Sequence, residues 1–186
     1  MRMLEIGPGY NGERIEGFET LDFEKRNNVD HVYDASKPLP FDDETFDIIY
    51  ASHVLEHIHY RDSLASIREW VRILKTGGHL EVWIPDALKI CKAFVLAEQG
   101  DKSLIRQNKR LWKETDNDPG LWLNCRVFSV TGRQHGVGGD HSALFSESYL
   151  KRLMISAGVS RTEKMSRKEV RGRDYGWVNL GVRGIK

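Results

Sequence analysis

Residues 4–9, Leu-Glu-Ile-Gly-Pro-Gly, constrain what this chain can fold into more than any other stretch. An apolar run carrying one acid ends in Gly7 and Gly9. That spacing lets the backbone turn sharply or pass close to a ligand, because no Cβ intervenes. In an open α/β sheet, such a turn at the carboxyl end of the first strand is where a nucleotide-like ligand rests. Glu5 then points into the crevice, and a carboxylate there selects hydroxyl or ammonium donors over phosphate. The turn therefore implies a small cofactor with a ribose or an amino group and no diphosphate.

The rest of the chain reads in keeping with an α/β sheet. Short apolar runs at 3–6, 18–23, 29–33 and 46–51 read as four strands, the last being β-branched and aromatic. Leu64, Ile67, Val71 and Leu74 recur at spacings of three and four, which predicts a helix over 62–74 stopped by Thr76-Gly77-Gly78. Residues 79–84 form a fifth strand. Helices follow over 87–98 and 103–114, then a polar break at 116–120 and a glycine- and histidine-rich loop at 132–140. Ser146 caps a helix that Ala157-Gly158 ends. Residues 159–165 and 176–182 read as a closing pair of strands around a basic loop at 167–174.

The first three strands are too closely spaced for ordinary crossover helices, which take about 10–12 residues or more. Helices in the front half are therefore expected to be reduced. One sheet face would then be poorly covered, and a second copy of the chain could cover it, which gives a homo-oligomer as the expectation.

The totals exclude several classes. Lys and Arg number 28 and Asp and Glu 27 in 186 residues, so no net charge draws the chain to nucleic acid or anionic lipid. Cys91 and Cys125 are the only cysteines and form no Cys-x-x-Cys pair, which rules out a cysteine zinc finger or a disulfide framework. No apolar run approaches the roughly 20 residues of a bilayer span, and the first strand leaves no room for a signal peptide. A cytoplasmic location is the expectation.

Four motifs in order carry a family likeness: residues 4–9; Leu21-Asp22; Tyr33-Asp34-Ala35 with Leu39-Pro40-Phe41 and Thr45 through Ile58; and Glu69 through Leu80. With them the chain resembles the class I S-adenosylmethionine-dependent methyltransferases, most of all the short members associated with polysaccharide biosynthesis. The resemblance implies a single Rossmann-like methyltransferase domain over 1–186, with a mostly parallel twisted sheet and an antiparallel closing strand. Residues 1–86 would form the cofactor half, 87–140 a helical insertion on the acceptor side, and 141–186 the closing helix and strands.

It also implies roles. Glu5 would hold the amino group of the methionine moiety while Gly7 and Gly9 let the backbone pass. Asp22 would accept both ribose hydroxyls, with Phe23 beside it. Asp34 would meet the adenine amino group, with Ala35 and Leu39 against the ring, and His53 and Leu55 would lie at the sulfonium. The implied reaction is O-methylation of a sugar or other small hydroxylated acceptor, possible glycolipids included.

Two other readings compete. Gly7, Gly9 and Gly12 also fit G-x-G-x-x-G, the turn of an NAD-dependent oxidoreductase, but Glu5 and Pro8 suit a diphosphate poorly. A non-catalytic module of the same fold would bind the cofactor and stop there. His53-Val54-Leu55-Glu56-His57 matches H-x-x-E-H, but the pattern follows a strand rather than lying on a helix, so no metal is assigned. An alcohol acceptor needs a base, and His141, His53 and His135 are the candidates, His141 first, with Asp140 to orient it. Arg126, Arg133 and the basic stretch are read as either phosphate contacts or solvated surface.

Overall fold

The computed structural model describes residues 1–9, 14–128 and 140–186. Gly12, Arg133, His135 and most of the 132–140 loop lie outside the described residues. Seven strands form one sheet: β1 (Met3–Ile6), β2 (Phe18–Asp22), β3 (His31–Val32), β4 (Phe46–Ser52), β5 (Leu74–Pro85), β6 (Arg161–Met165) and β7 (Asn179–Ile185). Their order is β3-β2-β1-β4-β5-β7-β6, and β7 alone runs against its neighbours. This is a single α/β domain with a mostly parallel sheet and an antiparallel closing strand. Because β1, β2 and β3 are parallel neighbours, their carboxyl ends share one edge of the sheet.

Helix α1 (Ser63–Ile73) connects β4 to β5. The long connection from β5 to β6 carries α2 (Ala87–Glu98), α3 (Lys109–Glu114), α4 (Pro119–Val127) and α5 (Glu147–Ala157). Among the described residues no helix lies between β1 and β4, so the front half is as reduced as its spacing implied. None of the helices is long and apolar enough to cross a membrane.

The main core lies between the sheet and one helical layer. Leu4, Ile49, Leu80 and Val82 from the strands meet Ile67, Trp70 and Val71 of α1 and Leu150 and Met154 of α5. Trp70 is fully buried, and its indole N–H donates to the Ala35 carbonyl at 3.0 Å, so the polar end of the ring is satisfied. A separate cluster, Ile90, Ala93, Leu111, Trp112 and Trp122 with Val178, gives α2–α4 a core of their own.

The opposite sheet face has no helix on it among the described residues. Phe18, Tyr50, Trp83 and Met165 are covered there by Ile15 and Val170. The segment at 167–174, expected as a mobile basic loop, is fastened down. Ser166 and Glu169 make a reciprocal capping box, the Gly172 N–H donates to the Tyr50 hydroxyl, and Arg167 pairs with Asp174 at 2.5 Å. Arg171 reaches the carboxylate of Glu81, which is 0 % exposed in the middle of β5. That strap takes over part of the covering role the sequence had given to a second subunit.

Local departures from the sequence reading have identifiable causes. Gly77 and Gly78 do not stop α1. The helix ends at Ile73, Leu74 is already extended, and the glycines lie where β5 jumps register against β4, from Phe46↔Leu74 to Ile48↔His79. The helix at 103–114 is broken at Asn108, whose side chain accepts from the Leu111 N–H and starts α3 afresh. The polar break at 116–120 contains the start of α4, with Asp118 as N-cap and Pro119 in the first turn. At the end of the chain, a 3-10 turn over Gly176–Val178 pushes the last strand to Asn179–Ile185.

Candidate active site

The glycine turn sits at the carboxyl end of β1. The Gly7 N–H donates to the Leu21 carbonyl at 2.8 Å, tying the turn to β2. Gly7 has φ +71° and a Cβ there would lie 2.3 Å from Val54 Cγ2, so both backbone conformation and the approach of the β4 exit require glycine. Gly9 has φ +73° with open space around it, so its need is conformational.

Glu5 is 7 % exposed, and its Oε2 has no hydrogen-bond partner among the described residues. Burial pushes its carboxyl up from 4.5 to about 7, against the backbone N–H of Ile15 and the charge of Arg14. A buried carboxylate oxygen without a donor is the vacancy that an ammonium or hydroxyl would fill. Asp22 ends β2 and is also buried, with Oδ1 accepting the Glu24 N–H at 3.1 Å and pairing with Arg26 at 2.7 Å. Phe23 follows with half its ring exposed.

Asp34 stands two residues beyond β3 in a turn, its Oδ1 accepting from the Ser36 N–H at 2.8 Å and hydroxyl at 2.7 Å. Ala35 is held by the Trp70 bond. Leu39 and Leu55 belong to the main core. The structure thus brings Glu5, Gly7, Gly9, Asp22 and Phe23 to adjoining strand ends. Asp34 and Ala35 lie on the next turn, and Leu39 and Leu55 serve packing.

At the end of β4, His53 adopts φ 56°, a conformation uncommon outside glycine. Its N–H donates to the Trp83 carbonyl at 2.8 Å. The ring stands between two acceptors: Nε2 is 2.9 Å from Asn179 Oδ1, and Nδ1 is 2.9 Å from Glu56 Oε1. The Asn179 amide donates to Asp174, which fixes its oxygen toward His53. Burial disfavours a charge on His53, but Glu56 outweighs it and raises the imidazole above its ordinary value. Tyr175 of the strap lies against it, centroids 4.0 Å apart.

His141 is different. Burial lowers it below the ordinary imidazole value. Its Nδ1 is 3.2 Å from the Arg126 carbonyl, so a backbone oxygen orients the ring where the Asp140 carboxylate was expected to. A short 3-10 turn over Leu55–His57 separates His53 from His57, whose ring packs edge-on to His141. The two histidines of H-x-x-E-H therefore share no helix face. Arg126 is no solvated surface residue: it lies over the Trp122 ring, and burial lowers its pKa. A cavity of about 550 Å³ opens beside His141, walled by Tyr60, Phe128, Leu144 and Tyr149. Tyr175 and Asn179 were not singled out by sequence, since each acquires its place through tertiary contact alone.

Residues 16–82 match the family model described as "Methyltransferase domain". Among curated proteins, the chain is 37% identical over 121 residues to an uncharacterized methyltransferase of Schizosaccharomyces pombe, covering 65% of this chain and 42% of that protein. It is 41% identical over 58 residues to a demethylmenaquinone methyltransferase of Corynebacterium efficiens, 31% of this chain and 24% of that protein. The chain thus spans less than half the length of these relatives. A crystal structure of a SAM dependent methyltransferase from Archaeoglobus fulgidus is similar in fold, with TM-score 0.59 and 13% identity over 100% of this chain and 86% of that one.

Proposed function

We propose, from a chain that carries this methyltransferase match on this fold, that the protein is an S-adenosylmethionine-dependent methyltransferase acting on a hydroxyl of a sugar or similar small acceptor. The observation that carries it is the set of acids at neighbouring strand ends, Glu5 with an orphaned oxygen, Asp22 and Asp34, around a glycine turn. A ribose and an ammonium suit such a set; a diphosphate does not. Among the described residues between Gly7 and Gly17 none is helical.

Glu5 would hold the amino group, Asp22 the ribose hydroxyls, and Asp34 the adenine edge, with the sulfonium end toward His53. When bound, the cofactor supplies an electrophilic methyl group. The acceptor's place is the cavity beside His141, with the helical insertion as its wall. A hydroxyl acceptor would give up its proton to a base, and His141, which burial holds below its ordinary value, fits that role better than His53, which Glu56 raises. His135 stays a candidate outside the described residues. A homo-oligomer belongs to the same proposal, and a monomeric mass in dilute solution counts against it.

Calorimetric titration tests the assignment: S-adenosylhomocysteine should bind and NAD should not. Binding without turnover across a panel of hydroxylated acceptors would point to a sensor, and binding of NAD alone would end the methyltransferase reading.

The Glu5 carboxyl adds a pH signature. Its pKa is raised in the folded state, so its contribution to stability is present below 4.5 and is lost as pH rises through about 7. An ammonium beside it needs the ionised form, so ligand affinity should climb between pH 6 and 8 with proton release. Calorimetry at pH 6.5 in buffers of differing ionisation enthalpy reads that proton directly. Glu5→Gln should erase it, and buffer-independent enthalpies for the unaltered chain would refute the placement.

A further inference from the structure

Glu56 and His57, adjacent to each other after β4, converge with the distant His141, which lines the cavity, and one ligand atom of each lies within 4.8 Å of the others. We propose that they bind one divalent transition-metal cation of the zinc class.

The ring orientations favour it. His57 Nδ1 lies 3.2 Å from the Asp140 carbonyl oxygen, and His141 Nδ1 lies 3.2 Å from that of Arg126. A carbonyl can only accept, so each Nδ1 carries the proton and each Nε2 keeps its lone pair. Metal-ligating imidazoles are typically anchored in this way, the remote N–H fixed by an outer oxygen.

The carboxylate is the second, independent observation. Glu56 is 1 % exposed, and neither carboxylate oxygen has a hydrogen bond of proper geometry among the described residues, although Oε1 lies 2.9 Å from His53 Nδ1. A buried carboxylate oxygen with nothing to accept from is costly, and a cation shared with two neutral imidazoles removes that cost. Two imidazoles and one carboxylate with further positions open is the donor set of catalytic zinc sites, and imidazole favours zinc, cobalt or nickel over magnesium and calcium. Bonds of about 2.0–2.2 Å require the three groups to draw closer.

The sequence pattern alone assigned no metal because His53 and His57 share no helix face. The structure removes His53 from the set and supplies His141 in its place. What the ion would do rests on the methyl-transfer reading: beside the cavity it would bind the acceptor hydroxyl and make it more acidic, with His141 as ligand instead of free base.

Binding is tested without reference to turnover. The full chain, stripped with chelator, is titrated at pH 7.5 with Zn²⁺ alone by calorimetry and with Co²⁺ by visible spectroscopy. One equivalent should bind, with a Co²⁺ spectrum lacking thiolate charge transfer, which keeps the ion off Cys91 and Cys125. His57→Ala and Glu56→Gln should each weaken binding at least tenfold. Melting curves establish that each variant folds. Should Glu56→Gln fail to fold, His57→Ala and His141→Ala decide. No binding, or binding indifferent to these substitutions, overturns the proposal. S-adenosylhomocysteine titrated into the same samples reads the cofactor site separately: its binding with no ion bound sinks the metal site and leaves the transferase, and the reverse pattern does the opposite.

Discussion

Asp22→Ala is expected to weaken S-adenosylhomocysteine binding by on the order of a hundredfold or more while leaving the chain folded. Asp22 closes β2 beside the glycine turn, buried, with Oδ1 engaged by the Glu24 N–H and Arg26. In the proposed complex it also accepts both ribose hydroxyls. Hydrogen bonds to a charged group are worth about 1.5–3 kcal/mol each, so two of them account for a loss of that order. The folded state should tolerate the change better, since Asp22 lies at a strand end and not in the main core. Asp22→Asn keeps the shape and should lose less. A dissociation constant within threefold of the unaltered chain's, in a variant that melts normally, would place the ribose elsewhere.

The second large effect is on stability. Glu81→Ala should cost about 3–5 kcal/mol, because removing one partner of a buried ion pair strands the other charges. Glu81 is fully buried, accepts from Arg171 Nε at 2.6 Å and Nη2 at 3.0 Å, and from Arg183 Nε and Nη2 at 3.2 Å. Both guanidinium groups are more exposed than the carboxylate, and Arg183 keeps Glu163 and Glu169, so some of the loss is recovered through solvent. The distinguishing result lies in the strap. Without Glu81, Arg171 loses its ion pair and keeps only its place over the Phe18 ring, and the segment that lays Tyr175 against His53 should loosen. Faster amide exchange over 167–178 together with a lower urea midpoint is the expected pair. A lower midpoint with unchanged exchange in the strap would mean that Glu81 supports the sheet only.

The parts of the fold legible in the sequence were those in which local chemistry and tertiary role coincide. Residues 3–6 and 46–51 are apolar runs that became central strands. Ser146 is an N-cap whose side chain accepts the expected backbone N–H. Gly158 ends α5 at φ 111°. Misreadings came where one residue type serves two purposes. The pair Gly77-Gly78 is punctuation in a helix and equally an irregularity in a strand. Asp118-Pro119 reads as a break, yet an acid followed by proline is also how helices begin, and that signal was available. The strap was opaque for another reason: its arginines look like solvated charge until Glu81 is known to be buried beneath them. In the site, the acids at 5, 22 and 34 could be ordered along an edge because parallel strands align their ends. The grouping of Glu56 with His141 could not be foreseen, as it arises only when the α4 end and the residues before α5 fold back over the β4 exit.

The separate core of α2–α4 has a bearing on how this molecule can change over generations. Trp122 and its neighbours pack chiefly with each other, so residues there can be gained or lost with little demand on the sheet. Doubling the length of such a connection costs only about 0.6 kcal/mol in chain entropy. A lineage could thus exchange these helices for others while the strand edge proposed to hold the methyl donor stays as it is.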